Sequence, residues 1–149
     1  MNISKIIPLL IAAMTFSFFA CNVYADVVVI VSSRSPVTVL RVEQAADIFL
    51  GRTSSLPGWG EIVPIDQADG SPMRDEFYAR TTGKSPSLLK AYWSKMIFTG
   101  EGQPPREAAN SAALKKLVAD NINLIGYVDR SAVDGSVRIV LQPGLSGSR

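Results

Sequence analysis

Five consecutive β-branched residues, Val27-Val28-Val29-Ile30-Val31, stand near the start of the chain with no polar residue among them. A strand with one wet face alternates apolar and polar positions. An unbroken run predicts instead a strand buried on both faces, in a sheet sandwiched by helices. Ser32-Ser33-Arg34-Ser35-Pro36 ends the run. Val42, Ala45, Ala46, Ile48, Phe49 and Leu50 then repeat at helical spacing, closed by Gly51. Thr53 to Gly60 reads as a turn-rich loop, and Glu61 to Ile65 as a second strand in which Pro64 points to an edge or a strand end. Ser71-Pro72 and Ser85-Pro86 each pair a capping serine with a proline at the first helical position. Phe77 and Tyr78 supply the core face of the first of these helices; Leu88, Leu89, Tyr92, Trp93, Met96 and Ile97 supply that of the second. Thr99 to Arg106, carrying Gly100, Gly102, Pro104 and Pro105, reads as an ordered loop. Leu114, Leu117 and Val118 mark a last helix. The final strands are Leu124 to Val128 and Val137 to Leu141, with Asp134-Gly135 as the turn before the second. Interleaved strands and helices predict an α/β layer structure, and 149 residues suit one compact domain.

The first 25 residues differ in character. Lys5 precedes an apolar run from Ile6 to Ala20, and Val23-Tyr24-Ala25 places small residues before Asp26, the pattern of a signal peptide cut after Ala25. The run is short for a hydrocarbon core of ~30 Å. A lipoprotein reading through Cys21 is the alternative, which the bulky Phe18-Phe19 before it fits poorly. The expected organisation is a leader over residues 1–25, one domain over 26–142 and a polar tail over 143–149, in a protein exported to the periplasm. Cleavage after Ala25 removes the single cysteine, so no disulfide is expected.

Composition narrows the chemistry. The chain has no histidine, which excludes Ser-His-Asp and Cys-His catalysis, histidine metal sites and histidine pH switching. Lys+Arg 15 against Asp+Glu 13 gives a net charge of +2, too little for a basic nucleic-acid surface. A calcium loop with Gly70 at its sixth position would put Ile65 at the first, where a side-chain oxygen is required, so no metal is expected. Asp66, Asp69, Asp75 and Glu76 are read as solvated acids near a turn, and Ser71 has no visible base. Neither an enzyme nor a cofactor is expected.

The segment Asp66-Gln67-Ala68-Asp69-Gly70-Ser71-Pro72-Met73-Arg74 is the most informative. A strand, a tight turn and a capped helix bring backbone N–H groups and a partial positive charge to one point, which is an anion site. Ser71 would add a hydroxyl and Arg74 a charge, unless Arg74 points to solvent. The purely structural reading, Ser71 as a cap and Asp69-Gly70 as a turn, is the commoner outcome of such spacing. Ser32 and Ser33, at the carboxyl end of the first strand, form a second candidate patch. Trp59, Tyr92, Trp93 and Tyr127 are the aromatic residues that could stack on a ligand; of these, Tyr92 and Trp93 read as core and Trp59, in a glycine-rich loop, as the exposed contact. Lys115-Lys116 reads as a solvated helix face.

These residues resemble a known group. Ala46-Asp47-Ile48-Phe49-Leu50-Gly51-Arg52 is similar to the helix that ends "DIFLGR" in phosphate-type periplasmic substrate-binding proteins of ABC transporters. Asp69-Gly70-Ser71 falls where that family has an Asp-Gly-Ser-Gly-Thr phosphate loop, and Ile125-Gly126-Tyr127-Val128 resembles its "AIGYV" strand. The similarity spans most of Val27 to Val140. It implies a single lobe of the type II periplasmic-binding fold, a small mixed sheet flanked by helices. The chain departs from the family pattern where Gln67 replaces an arginine and Pro72-Met73 replaces Gly-Thr, which removes a cation, a backbone donor and a hydroxyl.

The resemblance implies a protein that recognises a small oxyanion, phosphate first, for ABC-transporter uptake or for sensing. The expected ligand set is Gln67, Asp69, Gly70, Ser71 and Arg74, with Ser32 and Ser33 as the second patch. Expected partners are the membrane subunits of a transporter or a periplasmic sensor. Because one lobe offers only half a cleft, self-association is a further expectation. The rival reading is a ligand-free interaction module.

Overall fold

In the computed structural model of the chain, residues 25–144 are described. The expected leader, apart from Ala25, lies outside them, as do Cys21 and residues 145–149 of the expected tail.

The apolar run forms β1 (Val27–Ser32), which is buried along its whole length. Its side chains divide between two cores. Val27, Val29 and Val31 enter one cluster with Ile48, Phe49, Phe77, Tyr78 and Trp93; Val28 and Ile30 enter another with Leu114 and Val118. The period-two alternation of a strand therefore feeds two apolar faces at once, as the run predicted. The first face is covered by α1 (Val42–Phe49), α2 (Pro72–Thr82) and α3 (Pro86–Thr99). The second is covered by α4 (Ser111–Asp120).

The remaining main strands are β4 (Val63–Gln67), β5 (Arg106–Ala108), β6 (Leu124–Asp129) and β7 (Val137–Leu141), while β2 (Ser55–Leu56) and β3 (Gly60–Glu61) make a small separate hairpin. The five-stranded sheet has the order β5-β4-β6-β1-β7. Strand β4 is parallel to both its neighbours, and β1 is antiparallel to both of its own. This is the mixed α/β sheet flanked by helices that the sequence implied.

Several boundaries move. The second strand begins at Val63 rather than Glu61 and extends to Gln67. It is an interior strand, so Pro64 marks its start and not a sheet edge; β5 pairs only with the residues after Pro64. The turn-rich loop contains the β2–β3 hairpin. The stretch expected to be loop from Thr99 is bounded by the end of α3, where Gly100 takes φ +72°, and by Arg106, which opens β5. Trp59 is half-buried against the first core instead of standing exposed. Lys115 is tied to the Ala132 carbonyl and to Asp134, at 3.0 and 2.7 Å, rather than being merely solvated.

Candidate functional site

Parallel pairing of β5, β4 and β6 puts their carboxyl ends on one edge of the sheet. Helix α2 leaves β4 on one face and α4 leaves β5 on the other. Open α/β sheets form a crevice where successive connections turn to opposite faces, outside the carboxyl ends of the strands. Here that place is the segment from Gln67 to Ser71.

Beneath the crevice lies a buried polar network. Asp66 is fully buried at the end of β4. Its carboxylate accepts from Tyr78 Oη at 2.7 Å, from Arg74 Nε at 3.3 Å, from the Gln67 amide at 2.9 Å and from the Tyr127 hydroxyl. Tyr127 is held by stacking on Phe77, with ring centroids 3.9 Å apart and planes within 6°. Burial, reinforced by the negative charge of Asp66 and the hydrogen bonds to it, pushes both phenols well above the ordinary tyrosine range. For Arg74, burial alone lowers the pKa; the attraction of Asp66 outweighs it, so the guanidinium stays charged. Asp66 is therefore not one of a set of solvated acids. A buried carboxylate is tolerated because every lone-pair direction meets a donor.

The expected ligand residues occupy the floor and rim of this edge. Arg74 is 8% exposed and does not point to solvent; its Nη1 donates to Asp69 at 2.7 Å. The Asp69 side chain is 82% exposed. Gly70 turns with φ +82°, and a Cβ built there meets no atom within 4 Å, so the corner is open. Ser71 holds the N-cap position of α2 without a side-chain capping bond. This differs from the expected cap: the hydroxyl is uncommitted, and the amides of Met73 and Arg74 stand at helical positions with no acceptor in the preceding turn. Gln67 faces inward. Its amide nitrogen donates to Ser111 Oγ at 2.9 Å and to the Tyr127 carbonyl at 3.3 Å, which ties the start of α4 to β4 and β6. Those donors are spent within the protein.

Ser32 and Ser33 are not brought to this corner. Because β1 runs antiparallel to β6, its carboxyl end meets the amino ends of β6 and β4 on the opposite edge. There the buried Ser32 hydroxyl donates to the Ala119 carbonyl at 3.0 Å, and the Ser33 amide donates to the Ser136 carbonyl at 3.1 Å.

Sequence reasoning took Asp66 for a solvated acid, Tyr78 for core and Tyr127 for an aromatic that could stack on a ligand, and it did not single out Ser111; their joining in one network was missed. One signal was present: a tyrosine inside an apolar strand needs a partner for its hydroxyl. Among the described residues, no group of three or more His, Cys, Asp or Glu is placed to hold a metal ion, and no helix is long and apolar enough to cross a membrane.

No protein-family model matches the chain, and no curated protein matches it significantly. Solved structures do. A protein of Clostridium perfringens described as a phosphate ABC transporter substrate-binding protein, with phosphate bound, is 29% identical. The match has a TM-score of 0.61 and covers 78% of this chain and 44% of that one. An ABC-type phosphate transport receptor from Vibrio cholerae is 20% identical at a TM-score of 0.62, over 80% of this chain and 48% of its own. PstS from Borrelia burgdorferi is 14% identical at 0.55, over 78% and 46%. The last two likenesses are of fold. The chain spans about half the length of the proteins it matches. It is similar to the phosphate-type substrate-binding proteins of ABC transporters, and it carries their α/β fold over that half.

Proposed function

We propose that this chain is an exported binding domain for a small oxyanion, phosphate first, working in ABC-transporter uptake or in sensing. The observation that carries the reading is the open corner at Gly70-Ser71, with its uncommitted serine hydroxyl and the amides of the first turn of α2 at the carboxyl edge of the sheet. The Clostridium perfringens relative, with bound phosphate, supports the choice of anion. Neutral donors do the binding, because the one nearby guanidinium is shared between Asp66 and Asp69. An anion on a half-site remains wet, and water weakens each charged contact. Tight binding therefore requires a second half that completes the cleft.

The test is a thermal-shift panel of oxyanions on the chain beginning at Asp26. Phosphate at a hundredfold excess over Kd should stabilise by about 2.7 kcal/mol, on the order of 5 °C or more. Ser71→Ala should reduce the shift. No shift with any oxyanion defeats the proposal, and a shift indifferent to Ser71→Ala moves the site elsewhere. Sedimentation velocity with and without phosphate reads the self-association.

A second reading has its own observation. Leu88, Ile97 and Phe98 of α3 are exposed, Phe98 to 92%. An apolar surface of that kind fits a module that docks on a partner without a ligand. It predicts no oxyanion effect and a loss of partner binding in Phe98→Ser.

A further inference from the structure

One side of α3 joins it to the domain. Leu89 and Trp93 are buried, and the Tyr92 hydroxyl donates to the Leu50 carbonyl at 2.6 Å. The opposite side faces solvent and differs from an ordinary solvated face. Leu88 and Ile97, expected in the core, are 57% and 48% exposed, and Phe98 is 92% exposed. Between Ser87 and Phe98 the exposed positions hold four apolar residues, two lysines and two serines, and no acid. Leu88, Ala91, Lys95 and Phe98 recur at i, i+3, i+7 and i+10, a single stripe about 15 Å long. Lys90 and Ile97 flank it on the side of a groove that carries Asp69 and Glu107. The next acid along the chain is Glu101, beyond the turn at Gly100. The described residues, which lack Lys5 and Arg149, carry 13 basic side chains against 13 acidic ones, so the cations of this face are a local excess.

We propose that this face of α3 docks the domain on an anionic lipid surface, with the helix lying flat along it. Phe98 and Leu88 enter the boundary between headgroups and acyl chains, and the Lys90 and Lys95 ammonium groups reach lipid phosphates beside them. The inference rests on the exposed surface of the second reading and names its partner; it is independent of what the Gly70-Ser71 corner binds. Shape and charge select this occupant. The apolar side chains stand out along a convex helix instead of lining a cavity, so a deformable surface receives them without a matching pocket. A second copy of α3 would set lysines against Lys90 and Lys95, at a cost in like-charge repulsion. Cations interleaved with exposed apolar side chains, without an acid, suit a helix lying in an anionic interface.

Flotation of the chain beginning at Asp26 with lipid vesicles tests this, one set of equal parts phosphatidylglycerol and phosphatidylcholine, the other of phosphatidylcholine alone. The chain should float with the anionic vesicles and stay behind with the neutral ones, and about 0.5 M salt should release it. Lys90→Gln combined with Lys95→Gln should weaken binding about fivefold per lysine, and Phe98→Ser roughly tenfold or more. All three side chains are exposed, so an unchanged circular-dichroism melting curve certifies that each variant folds. Lys116→Gln, on α4 across the sheet, should bind as the wild type does. No flotation with anionic vesicles, equal flotation with neutral ones, or binding indifferent to Phe98→Ser or to the lysine pair overturns the inference. So does a loss in Lys116→Gln as large as that expected per lysine of the pair. A failure to float leaves a protein partner for Phe98, and the oxyanion reading, standing.

Discussion

Asp66 and Arg74 are opposite charges taken out of water together, and the rest of the network exists to make that tolerable. Removing one partner strands the other. Arg74→Met should therefore cost about 3–5 kcal/mol in denaturant unfolding, and Tyr127→Phe, which removes one donor of several, about 1–3 kcal/mol. The two buried phenols also set an alkaline limit. Their folded pKa values lie above the unfolded value of ~10. The folded state thus keeps protons that the unfolded state loses, and stability should hold up to about pH 10 and fall beyond it. Tyrosinate absorbance that appears together with unfolding, rather than before it, checks the sign. This network was hard to read from sequence for a definite reason. Four acids stand near one turn, and a two-residue error in where β4 begins and ends decides whether Asp66 is strand or loop. Its main partner, Tyr127, is 61 positions away. The turn itself was legible because Gly70 and Pro72 act locally.

Helix starts separate cleanly between the two serine-proline pairs. Ser85 accepts from the Leu88 amide at 3.3 Å, whereas Ser71 makes no such bond. Ser85→Ala should cost about 1 kcal/mol and Ser71→Ala under about 0.5 kcal/mol, which makes the latter a clean probe of ligand binding. The same Ser-Pro signature thus locates both helices without saying which hydroxyl is free. Gly126 shows what spacing conceals. A Cβ there would lie 2.5 Å from Leu114 Cδ2, because β6 and α4 approach closely at that point. Gly126→Ala should cost about 1–3 kcal/mol by overpacking, measured as a shift in the denaturant midpoint. Helices and long apolar strands were readable from periodicity. Strand β5 was not: three residues, two of them charged, carry no pattern, and only the parallel pairing of Ile65–Gln67 with Arg106–Ala108 makes them a strand.

Across the molecule, direction mattered more than location. The start of β1 was read correctly from the sequence and its end to within one residue, yet Ser32 and Ser33 fell on the far edge because nothing in a run of valines reveals which way its neighbours point. That strand pairs with β6 on one side and β7 on the other, matching Val27 to Asp129 and Ser32 to Val137. Ending the chain after Asp134 removes β7, bares one side of the most apolar strand in the sheet and should leave a product with no cooperative thermal transition by circular dichroism. The timing of synthesis sharpens the point. The first strand of the domain to leave the ribosome is the stickiest, and its two fasteners arrive roughly a hundred positions later, after everything else has been made. Until then α1, α2 and α3 cover one of its faces at most, and both of its hydrogen-bonding edges stay open, so a holding chaperone has a defined stretch to shield.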